Sequence, residues 1–297
     1  MQRTSGLPGL RLLRLHPDLL RQLPVLLAAR LPLLRHRLAL PRPRSIELLE
    51  RLGCDVVCCF GVSKLSASIV ATCRRRDLPV VLFLMREEDL AATDTQSPSH
   101  RDARHHVGHL CHLALTSASR VVAQTRHQQE VLHERFGLSS QLIRNPVDLG
   151  APVGAEPPTD TPHLVWIGRA ESANKRPELC LELARRLPHR RFLMIAGRRE
   201  PELFDHLCQT APPNLRILER LEPARAEAAI AAASALINTS NREGFPNVFL
   251  QAAKHAVPIV SLEVDPDGFL SRHGCGIVAG GDLEHMAEQL ERVVHRR

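Results

Sequence analysis

Residues 235–262 read ALINTSNREGFPNVFLQAAKHAVPIVSL, and the order of residue types in this stretch decides the fold. Ala235-Leu-Ile-Asn238 is a short apolar run of the kind that forms a buried strand. A polar loop follows, Ser240-Asn-Arg-Glu-Gly-Phe-Pro-Asn247. Pro246 suits the first position of a helix, where its missing N–H costs nothing, and that helix runs to His255. Pro258-Ile-Val-Ser-Leu262 is then a second strand. Strand, loop, helix and strand, with strands apolar on both faces, make a crossover unit of a parallel sheet covered on both sides.

The same alternation extends in both directions. Toward the C-terminus, Asp282 to His295 closes the chain as a helix. Toward the N-terminus, strands are expected at His163–Gly168, Arg191–Ala196 and Asn214–Leu218, with helices at Pro177–Leu187 and Pro223–Ala233. Farther back the expected strands are Cys54–Phe60, Pro79–Met85, Arg120–Ala123 and Gln141–Ile143. The expected helices there are Ser63–Arg76, Arg101–Thr116 and the segment from Thr125 to Gly137. Residues 150–162 are rich in Pro, Gly, Ala and Thr and read as a linker. The expectation is therefore an α/β chain of two Rossmann-like domains, 1–150 and 163–297, joined by 151–162.

At 297 residues the chain is long enough for two such domains, and its 44% hydrophobic content is enough to fill their cores. A formal charge of +7 favours acidic partners, phosphorylated substrates among them. Aromatic residues are only 3% and Tyr is absent, which leaves few platforms for stacking bases, so nucleic acid is not expected as a partner. The eight cysteines form no Cys-x-x-Cys pair, and several lie in apolar runs where a free thiol behaves as a small hydrophobe; this points to a cytoplasmic, reducing compartment. The apolar stretch Leu23–Leu40 is cut by Pro24, Arg30, Pro32, Arg35 and Arg37, too often for a spanning helix. Two readings of the Arg- and Leu-rich start stay open: a segment lying peripherally on an anionic membrane surface, or ordinary amphipathic helices.

In a doubly wound sheet ligands bind beyond the carboxyl ends of the strands. Two polar groups stand there. Gly168-Arg169, with Lys175 six residues on, places two cations at a strand end, which suits a diphosphate. The plain alternative is a solvated surface pair. Glu243-Gly244-Phe245-Pro246-Asn247 precedes a helix whose backbone N–H groups can hold an anion, while Glu243 can accept hydrogen bonds from sugar hydroxyls. The alternative is a helix-start turn with an acidic dipole partner. Asn247 and Gln251 share one helix face and need partners. Arg86-Glu87-Glu88-Asp89 follows the strand 79–85; it is either a cleft-edge group or a solvated acidic loop. His105, His109 and His112 share a helix face without the ligand set of a metal site, and no metal is expected. Asp265-Pro-Asp-Gly268 reads as a turn.

With these residues in place, 163–281 resembles the C-terminal domain of retaining family-4 glycosyltransferases of the GT-B fold, also called glycosyl transferases group 1. The matching pieces are Ile167-Gly-Arg169 with Lys175, Ile195-Ala-Gly197, Glu243-Gly-Phe-Pro-Asn-Val-Phe-Leu-Gln251 and Ala256-Val-Pro-Ile-Val-Ser261; Asn145-Pro-Val-Asp148 is similar to the segment leaving the N-terminal domain. The resemblance implies that Arg169 and Lys175 grip the donor diphosphate and that Glu243 binds the donor sugar, with Gly168, Gly244, Phe245, Asn247 and Gln251 around the donor. It implies Arg86, Glu87 and Asp89 on the acceptor side. Gln251 stands where the family usually has Glu. The implied reaction is metal-independent glycosyl transfer with retention, from a nucleotide sugar to a glycan or lipid-linked acceptor in cell-envelope or exopolysaccharide synthesis. No cofactor is implied. The family's opening strand and Gly-rich loop have no counterpart before Cys54, so an incomplete N-terminal domain is expected. Two other functions remain: a nucleotide-sugar-binding subunit that needs a partner chain, and a nucleotide-sugar epimerase.

Overall fold

The structure is a computed structural model that describes residues 3–4, 11–12, 53–91, 108–150, 156–158 and 163–295. The chain divides into two compact units, Met1–Ala123 with Gln128–Leu142, and Gln124–His127 with Ile143–Arg297. The break falls at Leu142/Ile143, so Asn145-Pro-Val-Asp148 belongs to the second unit. Of the expected linker only 156–158 is described.

In the first unit, β1 (Arg3–Thr4) and β2 (Arg11–Leu12) form a small antiparallel pair. The main sheet is parallel and contains β3 (Val57–Phe60), β4 (Val80–Phe83), β5 (Arg120–Ala123) and β6 (Gln141–Leu142), in that spatial order. Helix α1 (Lys64–Arg74) starts where Ser63 leaves extended backbone. Ser63 and Ser66 satisfy each other's N–H groups, at 3.2 and 2.7 Å, and this reciprocal cap explains why the helix begins there. Helices α2 (Glu88–Ala91), α3 (Gly108–Ser117) and α4 (Arg126–Phe136) complete the element list up to β6. The core contains Val70, Leu82, Leu84, Cys111, Leu115 and Leu132.

The second unit follows a regular alternation. Its elements are β7 (Leu164–Arg169), α5 (Pro177–Arg186), β8 (Phe192–Gly197), α6 (Pro201–Thr210), β9 (Leu215–Glu219), α7 (Pro223–Ala231), β10 (Ala235–Asn238), α8 (Asn247–Lys254) and β11 (Ile259–Ser261). A 3₁₀ turn (Pro266–Gly268), α9 (Phe269–His273), β12 (Gly276–Val278) and α10 (Leu283–His295) end the chain. All six strands are parallel, in the order β12-β11-β10-β7-β8-β9. Side chains alternate across each strand. Leu164, Trp166, Phe192 and Met194 therefore join one core, with Cys180, Leu183, Leu207, Met286 and Leu290 from α5, α6 and α10. Val165, Leu193 and Ile195 join the other, with Ile230, Phe249 and Leu270 from α7, α8 and α9.

The expected strands and helices of the second unit are present, with ends shifted by one or two residues. Pro246 is one such shift: it is the N-cap in extended backbone, and the helix begins at Asn247 rather than at the proline. Three elements go beyond the sequence expectation: α6, α9 and β12. The strand order carries the functional consequence. The chain runs β7, β8, β9 in one direction and returns to lay β10 on the opposite side of β7. The crevice at the carboxyl ends of β7 and β10 is thus the topological switch point, the usual ligand site of a doubly wound sheet.

Candidate functional site

Both polar groups singled out in the sequence emerge at this switch point. Arg169 is the last residue of β7, paired in register with Gly197 of β8. Its guanidinium meets Glu171 at 2.9 Å. Gly168 has a packing role of its own. A Cβ there would lie 2.8 Å from Trp166 Cη2, because residues two apart share a strand face and the indole lies across the glycine.

The chain then turns tightly, with the N–H groups of Lys175 and Arg176 both donating to the Glu171 carbonyl, at 3.0 and 3.1 Å. Arg176 ends the turn in left-handed backbone, φ 47°. Pro177 keeps Arg176 out of ordinary helical backbone as it opens α5, and the contacts that Arg176 makes, rather than the proline, select the left-handed value.

The loop after β10 is stitched to this turn. The Asn241 N–H and side-chain amide donate to the carbonyls of Asn174 and Ala173, at 3.1 and 3.0 Å, and the Arg242 N–H donates to Asn174 Oδ1 at 3.2 Å. Lys175 Nζ donates to Glu243 Oε1. Two residues 68 positions apart in sequence thereby become one ion pair.

Beyond Glu243 the chain packs inward. Gly244, Phe245 and Pro246 are buried, and the Phe245 ring meets Phe269 edge-on with centroids 5.2 Å apart. Helix α8 starts without a side-chain cap, so its first N–H groups have no side-chain acceptor. Asn247 is exposed, and its side-chain oxygen accepts from Asn145 at 2.7 Å; Asn145 also donates to the Phe245 carbonyl at 3.2 Å. Gln251 lies one turn further along α8, half-buried.

The site is electrostatically balanced. Arg169 faces Glu171, Lys175 faces Glu243, and Arg176 faces Glu263 at 2.7 Å. Two of the cations are those expected to meet a diphosphate, and each already has a carboxylate. Glu171, Asn174, Arg176, Thr239 and Glu263 were not anticipated from the sequence. Arg176 alone carried a local signal, its position before a proline.

Arg86, Glu87 and Asp89 are in the first unit, after β4. The first two are half-buried. Asp89 is fully buried, and its carboxylate accepts the N–H groups of Met85 and Arg86 at 2.7 and 3.2 Å, with the Arg86 guanidinium at 3.5 Å. Burial raises its pKa against the pull of these donors. Asp89 therefore ties the end of β4 to α2. Asp265-Pro-Asp-Gly268 is the expected turn, with Asp265 accepting the Leu270 N–H at 2.7 Å. Among the described residues no group of three or more His, Cys, Asp or Glu is arranged to hold a metal; His105 and His106 lie outside them. No described helix is long and apolar enough to cross a membrane, and the Arg- and Leu-rich start lies outside the described residues apart from four backbone positions.

Comparison with known proteins bears on the same segment. Residues 161–296 match the family model of glycosyl transferases group 1. A search of curated proteins finds no match. Among solved structures, S. aureus TarM, in complex with UDP, fondaparinux and alpha-GlcNAc-glycerol, is 15% identical with a TM-score of 0.64, covering 85% of this chain and 52% of its own. Sucrose-phosphate synthase from Thermosynechococcus elongatus is 15% identical with a TM-score of 0.66, covering 86% and 69%. The lipopolysaccharide outer core galactosyltransferase WaaB is 18% identical with a TM-score of 0.55, covering 84% and 69%. At such identities the likeness is one of fold, and it bears out the α/β, GT-B expectation. The chain spans about half the length of TarM.

Proposed function

From the match of residues 161–296 to the family model of glycosyl transferases group 1, we propose that the β7/β10 crevice binds a nucleoside-diphosphate sugar and that the chain transfers the sugar with retention. The observation that carries this reading is the meeting of Lys175 and Glu243 beside Arg169 and the uncapped start of α8. Arg169 and Lys175 face the diphosphate, Arg as a fork and Lys as a point charge. The α8 N–H groups and the backbone of Gly244 and Phe245 add donors. Glu243 accepts from sugar hydroxyls once Lys175 turns to the phosphates.

In the transfer, the bond from the anomeric carbon to the diphosphate breaks, and its electron pair goes to the phosphate oxygen. The acceptor hydroxyl oxygen bonds the same face of that carbon, and its proton passes to the departing phosphate. Preplaced cations stabilise the charge that develops, so neither a metal nor a side-chain base has a part to play. UDP is the first nucleotide to try, because TarM is solved with it. We place the acceptor among glycans or lipid-linked saccharides of the cell envelope; the fold shared with WaaB supports that class.

Calorimetric titration with UDP, GDP and ADP, then with their sugar conjugates, tests the donor site. Arg169→Ala or Lys175→Ala should each weaken diphosphate binding about tenfold or more, the loss of one charge-assisted hydrogen bond. Glu243→Ala should spare UDP more than the UDP-sugar. Parent-like donor binding by all three variants would remove the assignment. Donor turnover without an acceptor would instead indicate an epimerase, and binding without any turnover a binding subunit.

A further inference from the structure

A buried residue beside the site, not itself among those expected to touch the donor, is tied to several of its parts. Thr239, directly after β10, is fully buried. Its hydroxyl accepts from Trp166 Nε1 at 2.9 Å and donates to the Lys175 carbonyl at 2.7 Å. Its own carbonyl accepts from Arg176 Nε at 2.7 Å, while the Arg176 guanidinium also meets Glu263. Arg176 holds left-handed backbone, which costs a non-glycine residue on the order of 1 kcal/mol and persists only where surrounding contacts enforce it. Here the Thr239 carbonyl supplies one of those contacts, beside the Glu171 carbonyl and the Glu263 carboxylate. Gly168 makes room for the indole that starts the chain of bonds, since any Cβ there would strike the Trp166 ring.

We propose that Thr239, oriented by Trp166, is a positioning residue that fixes the backbone of Lys175 so that its ammonium is presented to the donor diphosphate. The inference rests on the donor-site reading above. Thr239 itself is fully buried and acts through Lys175. Three parallel strands, β7, β10 and β11, are joined through it: Trp166 from β7, Thr239 after β10, and Glu263 after β11 by way of Arg176. A buried hydroxyl that both accepts and donates is costly to replace by a methyl, because both partners lose their bond. Serine keeps the hydroxyl.

The test uses the full chain with Thr239→Val, Thr239→Ser and Lys175→Ala, and the double variant Thr239→Val/Lys175→Ala. UDP binding is read by calorimetry, and amide hydrogen exchange by mass spectrometry on peptides covering 170–176. Thr239→Val should lose about tenfold in UDP affinity and exchange faster over 170–176, while Thr239→Ser stays within about twofold of the parent; one hydrogen bond of ordinary net strength sets that scale. In the Lys175→Ala background, Thr239→Val should cost nothing more, which a general loss of stability would not reproduce. Parent-like exchange and binding in Thr239→Val would overturn the proposal, as would an undiminished loss in the double variant. If the parent itself fails to bind UDP, GDP and ADP, the donor-site reading fails instead; exchange over 170–176 then decides alone whether Thr239 holds the Lys175 turn, and unchanged exchange rejects that too.

Discussion

At the scale of single residues, the site is a set of neutralised pairs, and this shapes what substitutions should do. Glu171 is nearly enclosed and faces Arg169, which is half exposed. If Arg169 takes the donor diphosphate as proposed, the diphosphate competes with that carboxylate for the same guanidinium. Glu171→Gln removes the competing charge and keeps the shape, so UDP binding should tighten about two- to fivefold, a scale set by an ion pair that water partly screens. Calorimetry on the variant reads it directly. Weaker binding would mean that Glu171 aims Arg169 rather than competing for it. The sequence disclosed Arg169, Lys175 and Glu243 as residue types at strand ends, but not their partners. Glu171 looks like any loop carboxylate, and Thr239 like any polar residue after a strand. Their roles arise from strand order, which brings 166–176 beside 238–243, and a linear pattern holds no trace of that adjacency.

At the scale of elements, legibility followed the strength of local periodicity. Strands such as Leu164–Arg169 and Ala235–Asn238 are built on the apolar runs 164–167 and 235–237, and they stand within a residue or so of where that pattern places them. Helix α6 was not foreseen because it buries only Phe204 and Leu207 and begins abruptly after the polar run Arg198-Arg-Glu200. Strand β12 is three residues long and opens with glycine, so its identity comes from pairing rather than propensity. The pairing explains the glycine. Gly276 lies opposite Ile259 in register, and a Cβ there would come within 2.4 Å of the Ile259 carbonyl oxygen. Gly276→Ala must push β12 from β11 and should destabilise the protein by about 1–3 kcal/mol, the usual cost of overpacking. Denaturant titration of the variant checks this; an unchanged midpoint would show that the edge strand yields freely.

At the scale of the whole molecule, the closing helix is held by charge as well as by its apolar face. Met286 and Leu290 of α10 enter the core beside α5, β10 and β11. On the outer side, Glu291 receives Arg190 at 2.9 and 2.6 Å and His189 at 2.9 Å, with His295 at 3.4 Å. The hydrogen bonds from Arg190, above all, hold its carboxyl down to about 2, against the opposing effect of burial. An unfolded glutamate titrates near 4.3, so this contribution is present above that value and is lost as pH falls from about 4.3 toward 2. Glu227, bonded by Lys254 and His255, and Asp267, held down by the Arg126 N–H and Arg144 against its burial, act in the same direction. Acid lability alone therefore cannot assign the effect to Glu291. Thermal melts from pH 6 to about 2 should show the parent losing stability through this window, and Glu291→Gln losing less with a shallower slope. The same slope in both would place the acid sensitivity in Glu227 and Asp267, and leave α10 anchored by Met286 and Leu290.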